Sequence, residues 1–468
     1  MEYEILLRGG TVVDPTQGLH GPMDIGIDHG QVARLAPRIP KGKAEMVIDL
    51  AGKVAIPGIL DSHAHFSGGV EKVGHRMLAR AGVTCAIDFS ATPDELLQGL
   101  ALGGAGLGVG CLSPLIPGET VEGQDPPPNR LRQAIAHALE AGALGVKLLG
   151  GHRPLTPQAT RMAIEIANDI KAYVASHLGT TATGSHLEGM RELPQLLDGG
   201  LHLHVAHVNS YCRGLIAPPF EEAREALDIL KGLRGQVVSE SYLGTINGTS
   251  GRCQDDTPVS KVTCNCLSLL GYPATREGLE EALREGRAAV VVPEGDDMTL
   301  VWGEEAAAMW RRAGTDVPLS FNVNHPLVNA LLATAKDEDG RFIVDAISSD
   351  GGAYPRNLIV ERGLALVRCG ALTLEELVIK ASTNPARMFG LEGKGHLREG
   401  ADADVTVLDL ERGRPYMGMA RGRIIMVDGK VVGKGGYILT TRACRKTPKG
   451  VEAEYIDLEN YGLYRGLM

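Results

Sequence analysis

Apolar positions fall along this chain with two different periods. From residue 1 to about 57 they alternate with polar ones in short runs: Ile5-Leu6-Leu7, Thr11-Val12-Val13, Ile25-Gly26-Ile27, Val32-Ala33-Arg34-Leu35 and Met46-Val47-Ile48. A period of two puts every second side chain on one face, which predicts half-buried strands. Gly9-Gly10, Pro15, His29-Gly30 and Lys41-Gly42 separate the runs and read as turns. The same texture returns in Val405-Thr406-Val407-Leu408, Ile424-Ile425-Met426-Val427 and Val431-Val432, where Asp428-Gly429 marks a hairpin. Two β-rich ends so far apart in sequence predict one small β-sandwich domain formed by both termini, residues 1–57 plus 396–440.

Between these ends, strand-like apolar runs alternate with stretches of helical period, the signature of repeated βα units on a parallel sheet. Eight such runs centre near Ile59-Leu60, Thr84 to Asp88, Leu107 to Val109, Gly145 to Lys147, Tyr173 to Ser176, Leu203 to Ala206, Gln236 to Ser239 and Ile343 to Ile347. Helical patterns such as Pro157 to Lys171 and Pro218 to Leu233 lie between them. The fold class is therefore α/β, a (β/α)8 TIM barrel over residues 58–395 with its chemistry at the C-terminal strand ends. One connection departs from the pattern. Residues from about 242 to 341 separate the seventh and eighth strands, far beyond an ordinary loop. This stretch reads as a substrate-facing insertion, unless a barrel strand is hidden within it. Residues 441–468 form a polar extension, with Arg445-Lys446 and Lys449, that wraps the surface or a neighbouring subunit.

Composition narrows the field of activities. Hydrophobic residues make up 44% of the 468 and charged ones 22%, enough for a large core and unlike a disordered chain. A formal net charge of −10 argues against a phosphate-seeking surface, so nucleic acid is not an expected partner. The 61 glycines, about twice ordinary usage, point to many tight loops. The 8 cysteines are too sparse for a disulfide framework and suit a reducing compartment. Met1-Glu2-Tyr3-Glu4 does not begin an export signal, and no apolar run reaches the ~18 residues of a membrane span. The expected setting is cytoplasmic, with no membrane partner.

Histidines and acids stand at the predicted C-terminal ends of five strands. His63 and His65, in Asp61-Ser62-His63-Ala64-His65, are two apart on a strand and point the same way. They either open a loop or meet one metal ion. Lys147 ends the apolar run Gly145-Val146-Lys147-Leu148-Leu149, where an unpaired charge is costly. Its amine either snorkels to the rim or becomes neutral; a neutral amine can add carbon dioxide and form a carbamate, an oxygen ligand for two cations. His177 closes the fifth strand and His207 the sixth. On the sixth, parity puts His207 with Leu203 and Val205 on the lining face, leaving His202 and His204 under helices or near the rim. Parity also gathers Val344, Ala346, Ser348 and Asp350 on one face of the eighth strand, with the acid outermost as ligand and base candidate. Cys85, inside the second strand, and Cys264-Asn265-Cys266 read as structural.

In order, the pattern is His-x-His on strand one, lysine on four, histidine on five and six, and aspartate on eight. It is joined by Leu7-Arg8-Gly9-Gly10-Thr11-Val12-Val13-Asp14, Pro57-Gly58-Ile59-Leu60, Asn384-Pro385-Ala386-Arg387-Met388-Phe389-Gly390-Leu391 and Gly395-His396-Leu397-Arg398-Glu399-Gly400-Ala401-Asp402-Ala403-Asp404-Val405. Together these resemble the amidohydrolase superfamily over nearly the whole chain, specifically members whose carboxylated lysine bridges two metals. The resemblance implies a (β/α)8 barrel with a β-sandwich from both termini. It implies two divalent ions, zinc by expectation. One would sit on His63, His65, Lys147 and Asp350, the other on Lys147, His177 and His207, with Lys147 carboxylated. It implies hydrolysis of a carbonyl–nitrogen bond, in which Asp350 takes a proton from the attacking water and delivers it to the leaving nitrogen.

Two branches compete for the substrate. Lys147 and the Asn384-Pro385-Ala386-Arg387 segment resemble dihydroorotases and hydantoinases, which open cyclic amides. Ala141-Gly142-Ala143-Leu144-Gly145, Ala175-Ser176-His177-Leu178 and Ser348-Ser349-Asp350-Gly351 resemble N-acyl-D-amino-acid deacylases, which cut linear ones. A cyclic amide or imide is the first expectation. Five residues after the lysine both branches usually place a tyrosine; here His152, in Gly150-Gly151-His152-Arg153-Pro154, is either an oxyanion donor or a solvated loop residue. Candidates for substrate binding are Arg252 at the end of the Gly-rich loop Gly244 to Arg252, His325 and Ser348. Resemblance favours a homo-oligomer, dimer or tetramer, acting on a small molecule. A deaminase would carry a glutamate near its third histidine, which is not seen, and a non-catalytic hydantoinase-like scaffold would lack ligand positions that this chain retains.

Overall fold

The computed structural model describes residues 1–67, 73–445, 447 and 450–467. The alternating terminal runs become strands because each lays one face on a shared core. Leu7, Val12, Ile25, Ile27 and Val32 meet Val405, Val407, Met417 and Met419 there, all buried. Tyr3–Asp14, Leu19–Asp28, Gln31–Ala36, Ala44–Asp49 and Val54–Pro57 join Val405–Asp409, Arg414–Ala420, Arg423–Val427 and Lys430–Val431 in one mixed sheet folded as a β-sandwich. The two ends of the chain are stitched where Val54–Pro57 pairs antiparallel with Val405–Leu408. Asp428-Gly429 makes the expected hairpin turn, both residues at positive φ. Gly9-Gly10 does not turn. The first strand runs straight through it as a bulge, with a register shift between Leu7 and Gly10 and Gly9 at φ 74°.

The eight expected barrel strands are present: one (Ile59–His65), two (Val83–Asp88), three (Ala105–Leu115), four (Gly145–Leu149), five (Tyr173–His177), six (Leu203–Val205), seven (Val237–Tyr242) and eight (Ala346–Ser348). They pair in parallel in that order, and Gly351-Gly352, just past strand eight, pairs with strand one and closes the barrel. Strands two and five are buried at every position, as parallel strands covered on both faces must be. That is why their sequences lack the strict apolar–polar alternation of the terminal strands.

The long connection after strand seven is a folded unit and hides no barrel strand. Thr249–Ser250, Pro318–Phe321, Ala288–Glu294 and Asp297–Trp302 form an antiparallel sheet. Lys261–Leu269, Arg276–Arg284 and Gly303–Arg312 pack on it around Leu279, Trp310 and Phe321. Its expected limits, 242–341, need one correction. Pro326–Thr334 is the barrel's own seventh helix, with Val328 and Leu332 buried in the main core. The sandwich limit of 440 also moves. Gly435–Thr441 leaves that sheet to pair in parallel with the first half of barrel strand three, and Glu452–Ile456 pairs beside it. Beyond them Tyr461 is buried, donates to the Leu144 carbonyl at 3.0 Å and meets Tyr173 edge-on. The extension thus packs on its own barrel, at the N-terminal strand ends opposite the mouth; Lys446 and Lys449 lie outside the described residues. Among the described residues no helix is long and apolar enough to cross a membrane.

Candidate metal centre

His63, His65, Lys147, His152, His177, His207 and Asp350 line one cavity of about 400 Å³ at the barrel mouth. His63 is fully buried and stacked on Phe89 at 4.1 Å. Its Nδ1 meets Glu240 Oε1 at 2.6 Å, while its Nε2 has no hydrogen-bond partner. His65 contacts Ser90 Oγ through Nδ1 at 2.8 Å and Asp350 Oδ1 through Nε2 at 3.1 Å. The same Oδ1 is 3.5 Å from His63 Nε2, so His63, His65 and Asp350 bring three ligand atoms within 4.8 Å of one another. A second group adjoins it. The His207 ring lies 4.4 Å from that of His177 and 5.1 Å from that of His63. Lys147, 1% exposed, lies over the Phe89 ring at 4.5 Å with Nζ unpartnered.

Buried polar atoms are nearly always paired. Three in one cavity are not: His63 Nε2, His207 Nδ1 and Lys147 Nζ. Unpaired imidazole nitrogens beside a carboxylate form the donor set that suits zinc and similar divalent ions. Burial holds His63, His177 and His207 well below the ordinary imidazole value, and the neutral ring is the form that ligates. Burial also lowers the Lys147 amine. Burial works the other way on Asp350, yet Arg356, 2.9 Å from Oδ2, together with His65 and Lys147, holds its carboxyl below the usual carboxylate range. Its Oδ1 side is left facing the cavity as an ionised acceptor.

The backbone explains how these groups converge. Barrel strands six and eight end at Val205 and Ser348, and His207 and Asp350 follow in left-handed conformations, φ 36° and 48°. That turn swings both side chains over the mouth and breaks the alternation of a strand. Alternation along strand six therefore does not sort its histidines as expected. It is His204 that enters the barrel interior, with Nδ1 3.0 Å from the Tyr173 hydroxyl and Nε2 3.9 Å from Glu240. His207 reaches the same space only because of its positive φ. Glycine shapes the opposite wall: a Cβ on Gly151 would lie 2.0 Å from His177 Nε2.

Three expected substrate contacts are relocated. Arg252 and His325 are exposed and do not line the cavity, His325 packing instead against Phe220. Ser348 is 1% exposed and its hydroxyl donates to Glu240 Oε2, below the cavity rather than in it. His152 does line the cavity, its Nδ1 3.1 Å from Ser260 Oγ on the folded insertion, and burial pushes it down to about 4. It is therefore a neutral ring at ordinary pH.

Four residues of the site escaped the sequence reading. Asp88 accepts the backbone N–H of Phe66 and Ser67 at 2.8 Å and of Ser90 and Ala91 at 3.0 and 3.1 Å, fixing the loops after strands one and two. Arg356 grips Asp350, and Arg213 lines the cavity. Glu240, fully buried on strand seven, is a fourth and the most connected. It accepts from the His207 backbone N–H at 2.7 Å, from Ser348, and from His63 Nδ1. An acid inside the otherwise apolar and hydroxylic run Val237-Val238-Ser239-Glu240-Ser241 was its visible signal. Burial pushes this carboxyl up to about 8, against the Ser348 and His207 donors that lower it, and its Oε1, already accepting the His207 N–H, is the acceptor for His63 Nδ1–H. That fixes the His63 tautomer with Nε2 toward the cavity. Glu240→Ala is expected to weaken divalent-metal binding about 10- to 100-fold, read by chelator competition, with Glu240→Gln losing less because its carbonyl oxygen still accepts.

A model of the amidohydrolase family matches residues 361–432. Over 484 residues the chain is 25% identical to a dihydroorotase of Syntrophus aciditrophicus (strain SB), covering 92% of this chain and 99% of the relative. Over 467 residues it is 24% identical to a D-aminoacylase of Alcaligenes xylosoxydans xylosoxydans, covering 87% and 88%. The solved structure of an N-acyl-D-glutamate deacylase from Bordetella bronchiseptica, complexed with zinc and a phosphonate inhibitor, shares the fold with a TM-score of 0.66 at 15% identity, covering 94% and 99%. The order of site residues along the barrel, the sandwich built from both ends, and these full-length likenesses converge on the amidohydrolase superfamily: the chain is similar to its dihydroorotase-, hydantoinase- and deacylase-like members.

Proposed function

We propose that the protein hydrolyses the C–N bond of a small cyclic amide or imide, using two divalent ions, zinc by preference. His63, His65, Lys147 and Asp350 would hold one ion and Lys147, His177 and His207 the other, with Lys147 carboxylated. The observation that carries the reading is the convergence of unpartnered His63 Nε2, His207 Nδ1 and Lys147 Nζ beside the Asp350 carboxylate in one cavity. When bound, divalent ions supply positive charge that polarises a carbonyl and acidifies water. The chain's own residues do the rest. Asp350, kept ionised by Arg356, accepts a proton at Oδ1 and returns it to the leaving nitrogen. Neutral His152, steadied by Ser260, stands in the cavity wall as a donor to the developing oxyanion. The folded insertion supplies the wall facing the barrel through Asn247, Thr249, Val262 and Pro318, which limits water around the reacting carbonyl. The setting that goes with this reading is cytoplasmic, as a dimer or tetramer.

A second reading, hydrolysis of linear N-acyl-D-amino acids, is favoured by the likeness to a D-aminoacylase. One panel separates the two. Zinc-loaded protein is incubated with dihydroorotate, hydantoin and dihydrouracil beside N-acetyl-D-amino acids. Turnover of cyclic compounds, lost with chelator and restored by zinc, is the expected result. Turnover of the linear compounds alone would transfer the assignment to the deacylases, and no turnover by fully loaded protein would overturn both.

A further inference from the structure

Two arginines reach the cavity wall, and they are used differently. Arg356 is 2% exposed and saturated. It grips the carboxylate and backbone carbonyl of Asp350, donates to the Ile246 carbonyl at 3.2 Å, and lies over the rings of Tyr242 and Tyr354. Arg213, on the segment after barrel strand six, is half-buried and held by neutral oxygens alone. Its Nε donates to Asn324 Oδ1 at 2.8 Å, and Nη2 donates to Ser210 Oγ at 3.1 Å and the Tyr242 hydroxyl at 3.3 Å. Asn324 is locked in turn, donating to the Tyr242 hydroxyl at 2.9 Å and to the Ile246 carbonyl at 3.2 Å. These contacts orient the guanidinium plane and leave Nη1 with no partner among the described residues, on a side chain that lines the cavity.

A guanidinium is costly to bury without an anion. The described carboxylates of the site do not pair with it: Asp350 is taken by Arg356, Glu240 by His63, His207 and Ser348, and Asp316, exposed in the cavity lining, makes no ion pair with it. Two dications in the same cavity would add to the excess of positive charge. Such a charge is retained at a binding site when the ligand supplies the counter-ion, and a pre-oriented planar fork is matched to a carboxylate.

We propose that Arg213 anchors a free carboxylate of the substrate, so that the molecule whose C–N bond is cut is itself an acid. This rests on the C–N hydrolase reading and narrows it. Cyclic acids of the dihydroorotate type and linear N-acyl amino acids both carry the group; hydantoin and dihydrouracil do not.

The test pairs each acid with its neutral twin: dihydroorotate with its carboxamide, and N-acetyl-D-methionine with its amide. Zinc-loaded protein is expected to prefer the acid of the pair it turns over by about 10- to 100-fold in kcat/KM, the scale of one charge-assisted pair. Which pair responds identifies the carrier of the carboxylate. Arg213→Gln is expected to erase most of that preference through KM, and Arg213→Lys to keep part of it, since a point charge replaces a fork. Wild-type protein indifferent to the carboxylate overturns the proposal, as does an Arg213→Gln variant that loses acid and amide in equal proportion. Should Arg213→Gln fail to fold, the wild-type comparison decides alone. Titration calorimetry with the same four compounds on metal-free protein separates this inference from the hydrolase reading. Absence of any turnover with acid-selective binding that Arg213→Gln abolishes removes the reaction and keeps the anchor. Equal binding of acid and amide removes the anchor even where hydrolysis is seen.

Discussion

Lys147→Ala is expected to lower kcat/KM by roughly 10³-fold or more and to strip the protein of divalent metal, because in the proposed centre both ions share this one side chain. No described neighbour can replace it. Glu240 is held by His63, His207 and Ser348, and Asp350 by Arg356 and His65. The effect on the fold should run the opposite way. Lys147 Nζ is buried with no hydrogen-bond partner, so the metal-free wild type carries a group that costs free energy to bury. Metal-free Lys147→Ala should therefore melt no earlier than metal-free wild type, apart from the small cavity that alanine leaves. Metal analysis, steady-state kinetics and calorimetric melting read the three quantities. Retention of bound metal with near-normal turnover would show that Lys147 is a packing residue.

Asp350→Asn is expected to lower kcat by about 10²- to 10⁴-fold, the range for loss of a positioned general base, with a much smaller change in KM. Asparagine keeps the shape and one acceptor oxygen but cannot carry a proton between water and a leaving nitrogen. The same change removes the partner of a guanidinium that is 2% exposed, at a cost of about 1–3 kcal/mol in stability. The two losses are separable. Adding Arg356→Met to Asp350→Asn should recover part of the stability, because neither charge is then buried alone, and none of the turnover. Denaturant unfolding beside kcat measurements checks both. An Asp350→Asn protein with more than about a tenth of normal kcat would remove the acid–base role.

Much of the fold was legible in the sequence because its signals are local. Each barrel strand is a short apolar run, and the pairing of successive runs follows from right-handed βα units without long-range information. The sandwich was legible from period-two alternation at both ends, and the Asp428-Gly429 turn from two residues that accept positive φ. The misreadings were also of one kind. Gly9-Gly10 carries the signal of a turn, yet both flanking segments find partners in the same sheet, so the glycines serve a bulge instead. Pro326–Thr334 has an ordinary helical pattern, and only its packing on the main core separates it from the insertion before it.

The site divides in the same way. His63, His65, Lys147, His177 and Asp350 stood out because polar residues at the ends of apolar strands must have a reason to be there. Arg252 and His325 were chosen as neighbours of the mouth in sequence, and the folded insertion carries both away from the cavity wall. Arg213 sits in an unremarkable loop and becomes part of the site through Asn324 and Tyr242, far from it along the chain.

By itself the sequence determined the barrel, the sandwich of both termini and the set of donors at the strand ends, because periodicity and burial cost are properties of a segment. Only the tertiary structure decided that His207 enters the cavity beside an interior His204, that Glu240 orients His63, and that Arg213 rather than Arg252 lines the cavity. The physical reason is common to all three. A left-handed residue at a strand end, and hydrogen bonds between residues brought together from different strands, depend on closure of the barrel, and no local pattern records them.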